Sequence, residues 1–533
     1  MTKRLIPLIL ILILAACVPA GPKPASVSTA SPAAETAARP WWRDAVFYEI
    51  FVRSFYDTNS DGVGDFNGIT AKLDYLQDLG ITGIWLTPIN PSPSYHGYDV
   101  TNYYNVNPDY GTMEDFKRLL DEAHKRGIRV IMDLVLNHTS SQNPFFADAN
   151  NNPDSKYRDW YVWSDTDPGK SWYPGKRGYY YGFFCNCMPD LNYRNPEVTA
   201  QMQNVLRFWL NDVGVDGFRV DAAKYLIEEG DQIENTPATH EWYKDNFYPS
   251  YKADNPNAYT VGEVYGAGAI LIKSYTGNQL DQVFNFEMSS GFLNSAAGGS
   301  NSGVNSAIKF SLKDMPNFNF ATFLTNHDQN RVMSVLNGDV NKAKVAAALL
   351  LTSPGTPFIY YGEEIGQQGK KPDENIRLPM QWSADANAGF TTDKPWRAPF
   401  ANYQTVNVAA QQNDPNSLLS LYKSLIRLRA DHSALRTGGI LLPDTASTGL
   451  FASLRFNDQE AVLVLVNLSG ISLSDYSLTL DKSSLPAGTY QLSLLLGADS
   501  NASFTINADG GFSNFKPISE IPPCAINIYQ LNP

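Results

Sequence analysis

An α/β chain is predicted: a TIM (β/α)8 barrel, with a loop-rich domain inserted after strand 3 and an antiparallel β-sandwich domain at the C-terminal end. Three observations predict it. From Trp41 onward, eight short apolar, β-branched runs alternate with amphipathic stretches, the pattern of βα units around a parallel sheet. Between the third and fourth runs, residues 139–189 are loop-like, with many Asn, Asp, Pro, Gly, Tyr and Trp. Beyond residue 436 the helical periodicity gives way to short strand-like runs separated by Gly, Asn, Asp and Ser turns.

In chain order, Lys3 and Arg4 precede the apolar run 5–14, then Ala15, Ala16 and Cys17. A run of that length is short for a membrane span, so residues 1–17 read as a secretory signal. Residues 18–40, rich in Pro, Ala, Ser and Thr, read as a disordered tether. The first part of the barrel occupies 41–138, with strands expected at 46–51, 83–87 and 129–134. After the insertion at 139–189 the barrel resumes over 190–436, with strands at 217–221, 260–263, 282–286, 321–325 and 357–361. Amphipathic stretches 113–126, 199–211 and 341–351 are long enough to return the chain to the opposite end of the barrel. Leu418, Leu421, Leu425 and Leu428 mark the face of a closing helix. The sandwich, 437–533, has its clearest strand signals at 461–468 and 490–496.

Lys+Arg 41 against Asp+Glu 54 leaves a formal charge of -13, which repels phosphate backbones, so nucleic acid is not an expected partner. Apart from Cys17, the cysteines are Cys185, Cys187 and Cys524, an odd number, so at least one thiol is expected to be free. Cys185 and Cys187 are spaced as a metal pair could be, but no second pair or nearby His completes a zinc set. Asp57, Asn59, Asp61 and Asp65 place oxygen donors at alternate positions around Gly62, with the Val63 carbonyl between them. Such hard oxygens suit Ca2+ and resemble the first half of an EF-hand loop; a solvated acidic turn is the other reading.

In a barrel of this kind the active site lies at the C-terminal ends of the strands. Asp133, Asp221, Glu263 and Asp328 fall there. Any one alone suits a cap or a salt bridge, whereas the set suits glycoside cleavage, which needs one carboxylic acid to protonate the leaving oxygen and one carboxylate to attack the sugar. Arg219, two residues before Asp221 and so on the same side of its strand, is placed to hold Asp221 ionised.

The segments Asp133-Leu134-Val135-Leu136-Asn137-His138, Gly217 to Tyr225, Gly262-Glu263-Val264 and Phe323 to Asp328 resemble the four signature regions of the α-amylase superfamily, glycoside hydrolase family 13. Met188-Pro189-Asp190-Leu191-Asn192 resembles that family's fifth motif. The resemblance implies that Asp221 is the nucleophile, Glu263 the general acid/base and Asp328 the transition-state stabiliser, with Arg219 orienting the nucleophile. It implies that His138 and His327 bond the sugar before the cleaved linkage while Tyr98 stacks on it, and that Lys224 and Tyr225 line the leaving side. Endo-acting amylases often carry His where Tyr225 stands. Some relatives share the Asp57–Asp65 loop, and a second calcium at Asn137 and Asp190 is left open by the same analogy.

Leu378-Pro379-Met380-Gln381-Trp382 looks like oligo-1,6-glucosidases, while the fifth motif looks like the group between those enzymes and neopullulanases. The run 326–331 and the loop 91–98 resemble bacterial endo-acting α-amylases. The expected activity is therefore retaining, endo-acting hydrolysis of α-1,4 bonds in starch and maltooligosaccharides. An exo-acting α-glucosidase, a glucanotransferase and a non-catalytic glucan-binding lipoprotein are the alternatives. Leu14-Ala15-Ala16-Cys17 resembles a bacterial lipobox, which implies a protein tethered by lipid at Cys17 to the outer face of the cell envelope, with a plain signal peptide as the other reading; a monomer is expected.

Overall fold

The computed structural model describes residues 39–533; the signal expected at 1–17 and nearly all of the tether expected at 18–40 lie outside the described residues. Eight parallel strands form the central sheet: β1 (Phe47–Ile50), β2 (Gly83–Leu86), β3 (Arg129–Leu134), β4 (Gly217–Val220), β5 (Tyr259–Gly262), β6 (Gln282–Val283), β7 (Ala321–Phe323) and β8 (Thr356–Tyr360). Their order is β7-β8-β1-β2-β3-β4-β5-β6, and a bridge between Phe284 and Ala321 brings the two ends of the sheet together as a barrel. Nearly every strand residue is buried, because one face meets the bore and the other the surrounding helices.

Aromatic side chains plug the bore on the side where the strands begin. Phe47 stacks on Phe358 at 4.4 Å and on Tyr259 at 5.4 Å, and Trp42 stacks on Tyr259 at 5.2 Å. Gly83 leaves room for this plug: a Cβ there would lie 2.6 Å from the Phe47 ring.

Helix α1 (Met113–Lys125) begins with a capping box between Thr112 and Asp115 and buries Phe116, Leu119, Leu120 and Ala123, one stripe at helical spacing. Helix α2 (Pro196–Arg207) is capped by Asn195 with Pro at its first position, and α3 (Val340–Thr352) is capped by Asp339. The closing helix α4 (Leu418–Asp431) buries Leu418, Tyr422, Leu425, Ile426 and Arg429, so Leu421 and Leu428 stand at the edge of its inward face and not on it. The Arg429 guanidinium causes the rotation: it is drawn inward to the carbonyls of Leu351, Ser353 and Leu435.

The strand expected at 282–286 stops at Val283, because the Asn285 side chain accepts from Met288 N and starts a helix at Phe286. The inserted region is more regular than its composition predicts. It carries a helix, Pro144–Asn151, and a three-stranded antiparallel sheet of Trp163–Ser164, Gly178–Tyr181 and Trp172–Gly175, in that order. These strands are two to four residues long and are held by packed rings, such as Phe146 parallel to Trp163 at 5.7 Å, so no alternating pattern announces them. The region ends in a disulfide between Cys185 and Cys187; Cys524 is free.

The C-terminal strands form a six-stranded and a three-stranded antiparallel sheet around a second core that includes Leu450, Leu463, Leu478, Phe504, Phe512 and Tyr529. Buried Arg455 joins this body to the barrel by donating to Thr352 O at the end of α3 and to Gly438 O.

Candidate active site

Each acidic group of the site stands where a barrel strand ends. Arg219 lies beside Asp133 in the β3–β4 register, and Asp221 and Glu263 directly follow β4 and β5. One fully buried guanidinium joins them: Arg219 Nη1 is 2.7 Å from Asp133 Oδ1 and 2.6 Å from Asp221 Oδ1, and Nη2 is 3.3 Å from Glu263 Oε2. Asp133 also receives Trp85 Nε1 and the Tyr98 hydroxyl, so it is a buried support for Arg219 and Tyr98. Ala222, next to Asp221, is held at φ 46°, a left-handed conformation unusual for alanine, and its N–H donates to Glu263 Oε2 at 3.1 Å.

Asp328 completes the set from the loop after β7. Its Oδ1 accepts from Arg377 Nη2 at 2.7 Å, and its Oδ2 is 3.2 Å from His327 Nε2. His327 is itself buried, with Nδ1 2.5 Å from Glu49 Oε1 and Nε2 2.6 Å from the Tyr98 hydroxyl. Burial opposes its protonation, but the Asp328 and Glu49 carboxylates outweigh burial and raise its pKa to about 10, so it is an imidazolium at neutral pH. Against burial, His327 and Arg377 hold Asp328 far below the usual carboxylate range.

Asp221 moves the other way: burial pushes its pKa up to about 8, with Asp133 and Glu263 adding to the rise and Arg219 opposing it. Arg219 stands where the sequence placed it, against Asp221, and favours the ionised form, but burial and the neighbouring carboxylates act against it. One guanidinium shared by two buried carboxylates and the half-buried Glu263 leaves the group short of positive charge, so the group as a whole retains a proton.

These residues face an open cavity of about 610 Å3 whose wall includes Tyr98, His138, Asp221, Tyr225, Glu263 and Asp328. Burial lowers the pKa of the His138 ring to about 4, against a bond to the Tyr98 backbone, so the ring is neutral and keeps a nitrogen for a ligand hydroxyl. Arg219, Lys224 and His327 stand behind this surface. Lys224 Nζ pairs with Glu234 Oε2 at 2.7 Å and lies 4.9 Å from the centre of the Tyr225 ring, which it steadies. Arg377, Phe184, Tyr265, Met188 and the Cys185–Cys187 disulfide also line the cavity and were not foreseen. Arg377 directly precedes Leu378-Pro379-Met380-Gln381-Trp382, a motif read for subfamily alone, and that position was the available signal.

The loop Asp57 to Asp65 is shaped by its own side chains: Asp57 Oδ1 accepts from Asn59 N, Asn59 Oδ1 from Asp61 N, and Asp61 Oδ1 from Val63 N. Asp57 Oδ2 accepts from Gly62 N and Thr391 Oγ1, and Asp65 turns aside to cap the helix Phe66–Ala71. Among the described residues no three His, Cys, Asp or Glu side chains converge as a metal would gather them. Asn137 and Asp190 are buried against each other, and each loop oxygen that accepts one N–H keeps a second lone pair that a cation could use.

Residues 49–438 match the model of the α-amylase catalytic domain. Alpha-amylase 3 of Dictyoglomus thermophilum is 42% identical over 441 residues, covering 81% of this chain and 86% of that protein. An oligo-1,6-glucosidase of Parageobacillus thermoglucosidasius is 34% identical, covering 81% and 91%. Among solved structures, the α-amylase from H. orenii superposes with a TM-score of 0.78 at 37% identity, covering 92% of this chain and 99% of that one. The trehalulose synthase MutB from Pseudomonas mesoacidophila MX-45 gives 0.80 at 30% identity, covering 93% and 100%. With its barrel, its strand-end carboxylates and this match over most of its length, the chain belongs to the α-amylase family, glycoside hydrolase family 13, and is a glycosidase of that family.

Proposed function

We propose that the protein is a retaining, endo-acting α-amylase that hydrolyses α-1,4 bonds of starch and maltooligosaccharides. The observation that carries the reading is the sharing of Arg219 between Asp221 and Glu263. A pair bridged by one guanidinium favours the close spacing of a retaining pair, about 5–5.5 Å, over the about 6.5–9.5 Å that leaves room for water between acid and base.

Glu263, as the acid of the pair, delivers a proton to the glycosidic oxygen while Asp221 attacks the anomeric carbon; a glycosyl ester forms on Asp221 as the C–O bond breaks. Glu263, now a carboxylate, takes a proton from water, whose oxygen displaces Asp221 and restores both groups. Asp328, fixed by Arg377 and His327, accepts from sugar hydroxyls as positive charge develops on the ring.

Endo action is supported by cavity groups beyond both ends of the catalytic trio: Lys371, Asp373 and Arg377 near Asp328, and Phe184, Tyr225 and Tyr265 on the side of Lys224. A product time course from soluble starch, with panose and cyclodextrin alongside, tests this. Mixed maltooligosaccharides with a rapid fall in chain length are expected; glucose alone, released from chain ends, overturns endo action.

We also propose Ca2+ at Asp57, Asn59, Asp61, the Val63 carbonyl and Asp65, on the strength of the alternating oxygens. Bound there, it would fix the loop; no catalytic step depends on it. A rise in thermal midpoint with added Ca2+, absent in Asp61→Ala, is expected. Lipid attachment at Cys17 belongs to the same proposal, and Cys17→Ser is expected to move the protein from the detergent phase to the aqueous phase on partition.

A further inference from the structure

A second cavity, of about 320 Å3, adjoins the catalytic one and has no part in the chemistry. Trp172 and Tyr181 form its floor; they face each other across the inserted sheet with ring centres 5.4 Å apart. Phe183 forms the side toward the active site and stacks on Tyr225 at 4.2 Å, and Tyr225 in turn lines the catalytic cavity. Two stacked rings thus link the linings of the two spaces.

The lining also carries Glu228, Asp231 and Lys170, with Glu228 close enough to Tyr181 for its charge to act on that hydroxyl. Glu228 is half-buried; its carboxylate accepts from its own backbone amide and feels the charge of Arg194, whose guanidinium is spent on the Glu228 carbonyl. A carboxylate withdrawn from water and left short of donors is set for a ligand that brings donors of its own. Aromatic rings beside carboxylates match a pyranose, whose C–H face packs on aromatic rings while its hydroxyls donate at the edge. Two carboxylates against one lysine disfavour an anionic ligand, and the volume, at the small end of ligand pockets, suits a short stretch of sugar chain.

We propose that this cavity is a second glucan-binding site, which receives the leaving-side continuation of the chain cut at Asp221. It rests on the α-glucan reading of the active site and extends it: the chain passes Tyr225, crosses the Phe183 ring and seats on Trp172 and Tyr181.

The test is calorimetric binding of maltotriose and maltoheptaose to the full chain carrying Asp221→Asn, alone and combined with Trp172→Ala or Glu228→Gln. Trp172→Ala is expected to weaken maltoheptaose about tenfold and maltotriose less than twofold. Glu228→Gln, which keeps the shape, is expected to weaken maltoheptaose about threefold, and it decides the matter should Trp172→Ala lower the thermal midpoint enough to obscure binding. Equal losses for both sugars, or no loss for either, overturn the second site. Wild-type protein that leaves starch intact while the Asp221→Asn forms still discriminate the two lengths would overturn the hydrolase reading and keep the site. No binding of either sugar overturns both.

Discussion

Arg219 is the residue on which the site turns, since it touches Asp133, Asp221 and Glu263 at once. Asp221→Asn removes the attacking oxygen's charge and little volume, so turnover on maltooligosaccharides is expected to fall by about 10³-fold or more with binding largely kept. A near-normal rate would end the nucleophile assignment. Arg377 binds Asp328 through Nη2 and the His327 carbonyl through Nε, two bonds that one ammonium cannot reproduce in that geometry. Arg377→Lys is expected to lower kcat by about tenfold or more, read in steady-state kinetics with KM followed separately; a change confined to KM would mean that Arg377 only binds. Asp221, Glu263 and Asp328 were legible in the sequence because each stands at or just past a strand end. Glu49 and Arg377 were not: their bonds to the His327–Asp328 pair span 278 and 49 residues, and only the closed barrel makes such neighbours.

At the scale of elements, local chemistry was the readable part. Thr112 and Asp115 satisfy each other's backbone at the start of α1, and Thr112→Ala is expected to cost about 1 kcal/mol in chemical denaturation, with activity unchanged. The barrel strands were visible because burial on both faces demands continuous apolar runs. The inserted sheet was not, since strands of two to four residues give no period to read and their stability comes from ring packing between distant positions. The turn of α4 by about one residue from its expected face has a similar origin: the pull on Arg429 comes from carbonyls at and just past the end of α3 that helical periodicity does not see.

For the molecule as a whole, most buried ionisable groups push the pH dependence one way; His138, lowered to about 4, opposes Asp221 and Glu363 between about pH 4 and 6.5 as one group against two. His327 keeps its proton to about pH 10 in the fold but only to about 6.5 when unfolded, so its stabilisation is complete below about 6.5 and is lost as pH rises toward 10. Asp221 and Glu363, both raised to about 8 by burial, lose their contribution between about pH 4 and 8. The thermal midpoint is expected to decline steadily from mildly acid to alkaline pH, and His327→Gln to flatten the upper half of that decline; a midpoint that climbs through pH 8 would contradict it. The barrel and the β-sheet body were each foreseen as separate bodies, but their joint was not, because Arg455 meets Thr352 across about a hundred residues of sequence. The aromatic plug of Phe47, Tyr259, Phe358 and Trp42 has a consequence for traffic. It makes the catalytic chamber a cul-de-sac with no rear exit: a severed fragment must back out through the mouth by which the next chain arrives, so departure and arrival compete for one doorway.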